Sequence, residues 1–291
     1  MSHWQKPPLG IRLNPGHPLA RGLVGCWLMN EGGGNLVRDL SSNNNNGTIT
    51  VKATGSYSWV PGGLKLNRSG LEDGAYIQLG DNSCPRLAIT TGNISIFALF
   101  KPGLQDATDF GTLFSCGYDI AGDDEGWMLG SCGTGGPSAA VIMDFNSANN
   151  NETDYSGNSI WTTDEWQTFS ATRADSTHKM YYNGQSIPYT ATTHGVTIPY
   201  LATITNYIGH LGGDYQRSYG LGYRFVDGTF GCVFIWNRLL SDSDMISLTA
   251  NPYTMFEPEP FWLFQSAAGV GAVAPTGIIY GPLYGPFAGP V

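Results

Sequence analysis

Charge is scarce in this chain of 291 residues: Asp, Glu, Lys and Arg make up 13%, about half of the roughly 25% found in ordinary globular domains. Basic residues are the scarcer kind, 14 Lys+Arg against 23 Asp+Glu, for a net charge of −9. Affinity for a phosphate backbone comes from clustered Lys and Arg that release counterions, so a nucleic-acid binder is excluded. Long apolar runs are missing too. The most apolar stretches, Phe230 to Trp236 and Phe261 to Phe264, fall far short of the roughly 20 residues a membrane-spanning helix needs. The N-terminal Met1-Ser2-His3-Trp4-Gln5-Lys6-Pro7-Pro8 contains no apolar core of a secretory signal, and folding in a reducing cytoplasm is expected. Cysteine is sparse: Cys26, Cys84, Cys116, Cys132 and Cys232 form an odd, widely spaced set with no C-x-x-C pair. They read as reduced, buried, small apolar residues, with a single Cys116 to Cys132 disulfide as the alternative.

What is abundant points to β-structure. Gly (40), Pro (17) and aromatics (12%) supply turns and pleated-surface packing, whereas the charged straight-chain residues of exposed helix faces are few. Residues 1–18 hold Pro7, Pro8, Pro15 and Pro18 and form an arm too proline-rich for a helix or a central strand. From 19 to 256, short apolar or alternating runs recur between Gly, Asn and Asp clusters every dozen residues or so, the rhythm of a sandwich. Ile94 to Phe100 is apolar on both faces and suits a central strand buried on both sides. Trp166 to Thr172 and Phe230 to Trp236 are further strands; in the latter Phe230, Cys232, Phe234 and Trp236 are expected on one face and Val233 and Ile235 on the other. Asn183-Gly184 inside Met180 to Ile187 predicts a hairpin with a type I′ turn. Ser241-Asp242-Ser243-Asp244 opens one short helix with a capping hydroxyl and acidic first turn, Asn251-Pro252 closes it, and it is expected over an end of the sandwich.

The run Gly25-Cys26-Trp27-Leu28-Met29-Asn30-Glu31-Gly32-Gly33-Gly34, followed by Val37 to Ser41 and Asn46-Gly47-Thr48, resembles the opening of a laminin-G-like (concanavalin A-like lectin/glucanase) domain. Ile94 to Pro102, Gly126 to Leu129, Thr168 to Gly184, Tyr207 to Gly209 and Gly228 to Ser241 resemble later segments of that family, in its order, over about residues 19 to 250. The resemblance implies an all-β fold, an antiparallel two-sheet jelly roll. At the two ends, His17 to Val24 and Asn251 to Pro258 resemble laminin-G-type proteins of tailed bacteriophages, which implies a virion component.

Catalysis is not expected. Glucanases of this fold need two carboxylates about 5 Å apart on one strand face, and their E-x-D-x-x-E pattern is absent. The acidic clusters Glu72-Asp73 and Asp123-Asp124-Glu125 stand beside glycines and read as solvated turns. No G-x-S-x-G occurs, and the five histidines are isolated. No cofactor is expected; the weak candidates for Ca²⁺ ligation are Asp119, Asp123, Asp124 and Glu125, or alternatively Asp144, Asn146, Asn149 and Asn150. The family's Asp near the final strand is replaced by Gly231, which weakens any site built beside it. Trp59, Trp161 and Tyr215 are the aromatics considered for sugar stacking, against the plainer reading of packing.

Residues 257–291 are the most unusual stretch. Residues 260 to 291 contain no Lys, Arg, Asp or Glu, and Tyr280-Gly281-Pro282, Tyr284-Gly285-Pro286 and Ala288-Gly289-Pro290 recur every four residues. Disordered tails are typically charged, so an uncharged aromatic strip is expected to dock on another subunit, adding apolar burial at about 25 cal/mol per Å². The sequence thus predicts three parts: an arm (1–18), a jelly roll (19–256) and a docking tail (257–291). It predicts a virion structural subunit, a capsid decoration protein held in a homo-oligomer or on neighbours by its arms. Trp4, Phe261, Trp262, Leu263, Phe264, Tyr280, Tyr284 and Phe287 are the expected partner contacts. The alternative is a carbohydrate-binding module for attachment to a surface glycan.

Overall fold

The computed structural model describes residues 5–70, 73–79, 93–103, 110–120, 123–133, 139–147, 150–156, 162–174, 177–191, 208–213 and 225–257, with only the backbone path at 110, 117–120, 123–128, 131–133, 139–147, 150–156, 189–191 and 208–209. The chain divides into two units, Met1–Phe256 and Glu257–Val291. Of the second, only Glu257 falls among the described residues.

Seventeen strands are formed among the described residues. The first half of the chain supplies β1 (Leu23–Trp27), β2 (Leu36–Val37), β3 (Gly47–Val51), β4 (Ser56–Val60), β5 (Gly63–Asn67), β6 (Ala75–Leu79), β7 (Asn93–Pro102), β8 (Phe110–Ile120) and β9 (Asp123–Gly133). The second half supplies β10 (Ala139–Ser147), β11 (Asn150–Ser156), β12 (Gln167–Ala174), β13 (Thr177–Tyr182), β14 (Gln185–Ile187), β15 (Tyr189–Ala191), β16 (Ile208–Leu211) and β17 (Gly228–Trp236). One sheet has the order β14-β13-β12-β7-β17-β5-β4 with β1 also paired to β17; the other has the order β15-β11-β10-β9-β8-β16-β6-β3-β2. All pairings are antiparallel. The all-β, two-sheet jelly roll that the sequence predicts is the fold observed.

Two apolar layers explain the composition of the central strands. Between the sheets, Leu64, Leu66, Ile96, Phe100, Phe169 and Phe230 meet Ile77, Leu79, Phe114, Leu129 and Leu211. On the outer face of the eight-stranded sheet, Phe97, Leu99, Cys232, Phe234 and Trp236 form a second layer. β7 and β17 are therefore apolar on both faces, as expected for Ile94 to Phe100.

The second layer is roofed by the helix α1 (Asp242–Ala250) through Met245 and Leu248, with Leu19, Met255 and Phe256 beside them. Ser241 and Asp244 form the capping box that their spacing predicts. The helix lies over a sheet face rather than an end of the sandwich, because the apolar outer side of β7 and β17 must be covered. Asp242 fixes its start, accepting from Lys179 Nζ at 2.7 Å and Tyr181 Oη at 2.8 Å.

Four other expectations are met or corrected at particular residues. Asn183 (φ 48°) and Gly184 (φ 76°) make the left-handed turn between β13 and β14. In β17 the pairing with β7 shifts between Phe230 and Cys232, so Phe230 joins the inter-sheet layer while Cys232, Phe234 and Trp236 face outward; a bulge at Gly231 breaks the simple alternation. Cys116 is free and opposite Trp127, while Cys132 is opposite Phe110, which separates the two along the strands too far for a disulfide. The expected arm is not free over its described part. Lys6 Nζ donates to Met29 O (2.6 Å) and Gly62 O (2.8 Å), and Asn30 Nδ2 donates to Pro7 O (3.1 Å). Asn14 N donates to Met255 O (2.9 Å), and Leu13 bridges Phe256. Residues 6–14 thus strap the domain's own outer layer, where Ile11 and Leu13 find apolar cover.

The Asn-rich run after β2 is a tight loop built on one carboxylate. Asp39, 8% exposed, accepts Cys26 N (2.9 Å) and Ser41 N (2.8 Å) on Oδ1, and Ser41 Oγ (2.7 Å) and Asn45 N (2.8 Å) on Oδ2. Asn45 Nδ2 and Asn43 Nδ2 in turn donate to Val24 O, so β1 and the loop share one polar node.

Candidate functional site

At one end of the eight-stranded sheet, polar residues line the outer face. Lys65 is opposite Ser58 on one side and Thr229 on the other, and Thr229 is opposite Lys101. Their neighbours Leu64, Leu66, Phe100 and Phe230 point between the sheets, so the period-2 alternation of strands turns this row outward. Gln167 pairs with Phe100, and Trp166, one residue earlier, therefore joins the row beside Lys101.

Trp166 rests on a floor of glycines. A Cβ at Gly62 would stand 3.0 Å from indole Cζ2, and a Cβ at Gly231 would stand 3.1 Å from Cζ3. Gly62 has φ +96°, a conformation that side chains rarely adopt. The indole packs inward on Leu99 and its neighbours and is half-buried.

An ion pair belongs to the same outward row. Lys101 Nζ meets Asp164 Oδ1 at 2.7 Å, with side-chain exposures of 33% and 87%. Asp164 is set there by its own backbone, φ 63° with its N–H donating to Pro102 O at 2.7 Å. The hydrogen bond from Lys101 and its charge hold the Asp164 carboxyl below the usual range. On the far side, burial pushes Asp227 up while Lys65 and Arg68 oppose it. Lys6 Nζ donates to Gly62 O beside this floor, and burial lowers its ammonium pKa to about 8. The ledge thus offers a flat apolar ring, an exposed acceptor in Asp164 and donors in Lys101 and Lys65. That arrangement can hold a ring-shaped polar ligand.

A second polar surface is on the outer face of the nine-stranded sheet. Gln78, His210 and Ser115 are cross-strand neighbours, and the Tyr76 ring meets the His210 ring edge-on at 5.2 Å. His210 is only 3% exposed, which makes this surface a packed one.

The residues singled out in the sequence are distributed differently. Asp119 is in β8, and Asp123, Asp124 and Glu125 are in β9, with Asp119 opposite Asp124 and Tyr118 opposite Glu125; they are strand residues and not the turn residues expected. Asp144 and Asn146 are in β10 and Asn150 in β11, while Asn149 lies outside the described residues. Among the described residues no three His, Cys, Asp or Glu side chains gather as metal ligands. Trp59 is packed and tied, its Nε1 donating to Gly34 O at 2.9 Å. Trp4, Phe261, Trp262, Leu263, Phe264, Tyr280, Tyr284, Phe287, Trp161 and Tyr215 lie outside the described residues. Lys65 and Asp164 carry no motif, Lys101 is read only as part of the family-like segment Ile94 to Pro102, and Trp166 reads in sequence only as the first residue of a strand. The one signal for them is Gly231, a missing side chain that makes room for the indole.

Comparison with solved structures shows this fold in proteins of distant sequence. The binding domain of botulinum neurotoxin DC in complex with rat synaptotagmin II has TM-score 0.54 at 12% identity, over 79% of this chain and 52% of that one. The same binding domain in complex with SialylT gives 0.53 at 13%, over 80% and 52%. Trypanosoma rangeli sialidase in complex with sialic acid gives 0.53 at 20%, over 80% of this chain and 33% of that one. This chain therefore spans about half the length of the neurotoxin binding domains and about a third of the sialidase. No curated protein sequence matches it. The model of the family Laminin_G_3, described as the concanavalin A-like lectin/glucanases superfamily, matches residues 71–245, well over half of the chain, and the protein belongs to that family.

Proposed function

We propose that this protein is a glycan-binding module and that the ledge at Trp166 is where the glycan docks. The observation that carries the reading is the half-buried indole, bedded on Gly62 and Gly231, in the same outward row as Lys101 and its ion pair with Asp164, two residues before the indole in the chain. A pyranose presents an apolar C–H face, which an aromatic ring covers, and a rim of hydroxyls, each needing a donor and an acceptor. Trp166 meets the first need; Asp164, Lys101 and Lys65 meet the second. The fold supports the reading, since neighbours of the same architecture are a neurotoxin binding domain in complex with SialylT and a sialidase in complex with sialic acid. No catalytic step is required of such a site.

The test is a glycan array followed by calorimetry on any positive, with wild type and Trp166→Ala. Binding that weakens at least tenfold, about 1.4 kcal/mol, in a variant whose circular dichroism is unchanged supports the reading. An array without a positive, or binding indifferent to Trp166, overturns it.

A second reading concerns residues 257–291. Their lack of charge from 260 onward and their repeated Tyr-Gly-Pro favour docking on neighbouring subunits of a virion, where repeated weak contacts multiply into avidity. The two readings are compatible, the glycan ledge serving attachment and the tail serving assembly. Deleting 257–291 is expected to dissociate the oligomer by light scattering, and an unchanged assembly state would overturn the docking role.

A further inference from the structure

We infer that the ledge selects a neutral hexopyranose over a sugar bearing a carboxylate; the inference rests on the glycan-binding reading and names the ligand class of that same site. The argument is one of charge. Lys101 is already matched by Asp164 at 2.7 Å. Lys65, the next cation along the row, has the carboxyl groups of Asp164 and Asp227 in its field, and Arg68 shares Asp227 with it. Lys6 is held by two backbone carbonyls and faces Glu31. Each of these cations thus has a carboxyl group in its field, and Asp164 and Glu165, the two residues before Trp166, are both exposed.

An incoming carboxylate must either pull Lys101 away from Asp164 or stand beside Asp164 and Glu165, and both carry an electrostatic penalty. A neutral hydroxyl meets no such conflict. It accepts a hydrogen bond from a second N–H of Lys101 and donates one to Asp164 Oδ2, so the 2.7 Å contact stays closed and the pair keeps its charge. The indole offers its apolar ring to either sugar, so discrimination falls on Asp164, the acceptor at the rim.

The experiment uses the full chain and matched probes, lactose with 3′-sialyllactose and galactotriose with trigalacturonate, on wild type, Trp166→Ala, Trp166→Phe and Asp164→Asn. At least a tenfold preference of wild type for a neutral member over its acidic partner is expected. Asp164→Asn, a change at an exposed position, is expected to weaken the neutral sugar and to narrow that preference at least threefold, and Trp166→Phe is expected to retain more binding than Trp166→Ala. Tighter Trp166-dependent binding of an acidic member overturns the selectivity and leaves the glycan reading standing. Equal affinity for both members of each pair, or a preference untouched by Asp164→Asn, also overturns it. Binding of no sugar on these probes or on the wider array overturns the glycan reading and the inference with it.

Discussion

The indole of Trp166 occupies space that only a glycine at 231 leaves open: a methyl group there would stand 3.1 Å from indole Cζ3 and 2.8 Å from Leu99 Cδ2. Gly231 is also the bulge in β17, between Phe230 in the inter-sheet layer and Cys232 in the outer one. One residue without a side chain therefore both redirects the strand and makes a bed for the aromatic ring.

Restoring an acidic side chain there is the direct test of that double role. Gly231→Asp forces a carboxylate between Leu99 and Trp166. Overpacking alone costs about 1–3 kcal/mol, and a carboxylate without hydrogen-bond partners adds to that. A lower urea midpoint with an unchanged m-value is expected, together with a red-shifted tryptophan emission as the indole lifts into water. Stability within about 0.5 kcal/mol of wild type, the usual range of a neutral surface change, would show that the strand absorbs the side chain without moving Trp166.

The node at Asp39 gives a second prediction. Its two oxygens accept three backbone N–H groups and the Ser41 hydroxyl, and Asp39→Asn turns one of those oxygens into a donor facing donors. Each buried N–H left unpaired costs roughly 1–3 kcal/mol, so a loss on the order of 3 kcal/mol is expected in chemical unfolding. Faster proteolysis near residues 41 to 46 should accompany it, since that loop is tied to β1 through this carboxylate. A loss below about 1 kcal/mol, the ordinary worth of a single hydrogen bond, would show that the loop is held elsewhere.

The strands and the helix were legible in the sequence because their determinants are local. Asn183-Gly184 specifies its turn by φ alone, Ser241 and Asp244 specify a helix start by spacing, and Ile94 to Phe100 declares double burial by having no polar face. The ledge was not legible, because Gly62, Lys101, Asp164, Trp166 and Gly231 come from separate stretches that only the β4-β5-β17-β7-β12 order of the sheet brings together. Phe230 was placed on the wrong face for a related reason: a bulge is a property of strand pairing, and alternation within one strand cannot reveal it. The strap over the outer layer escaped notice because proline-rich composition reports what a segment cannot form, not what it covers.

The last prediction concerns acid. His210 is 3% exposed, edge-on to Tyr76 and between Gln78 and Ser115 in the sheet, and burial lowers its pKa to about 4 from the ordinary 6.5. Below pH 6.5 the unfolded chain takes up a proton that the folded chain refuses until about pH 4, so the unfolded state binds more protons across that window and stability falls as pH falls. At 1.36 kcal/mol per pKa unit, this one group accounts for about 3 kcal/mol of acid destabilisation between pH 6.5 and pH 4, with no contribution above pH 7. His210→Gln removes the titration and keeps a polar side chain of similar reach. Urea unfolding of both proteins at half-unit pH steps should show the variant less stable or equal at pH 7.5 and losing about 3 kcal/mol less than wild type on going to pH 4. Parallel curves for the two proteins would show that His210 gains its proton without opening the sheet, and that other groups set the acid limit of the fold.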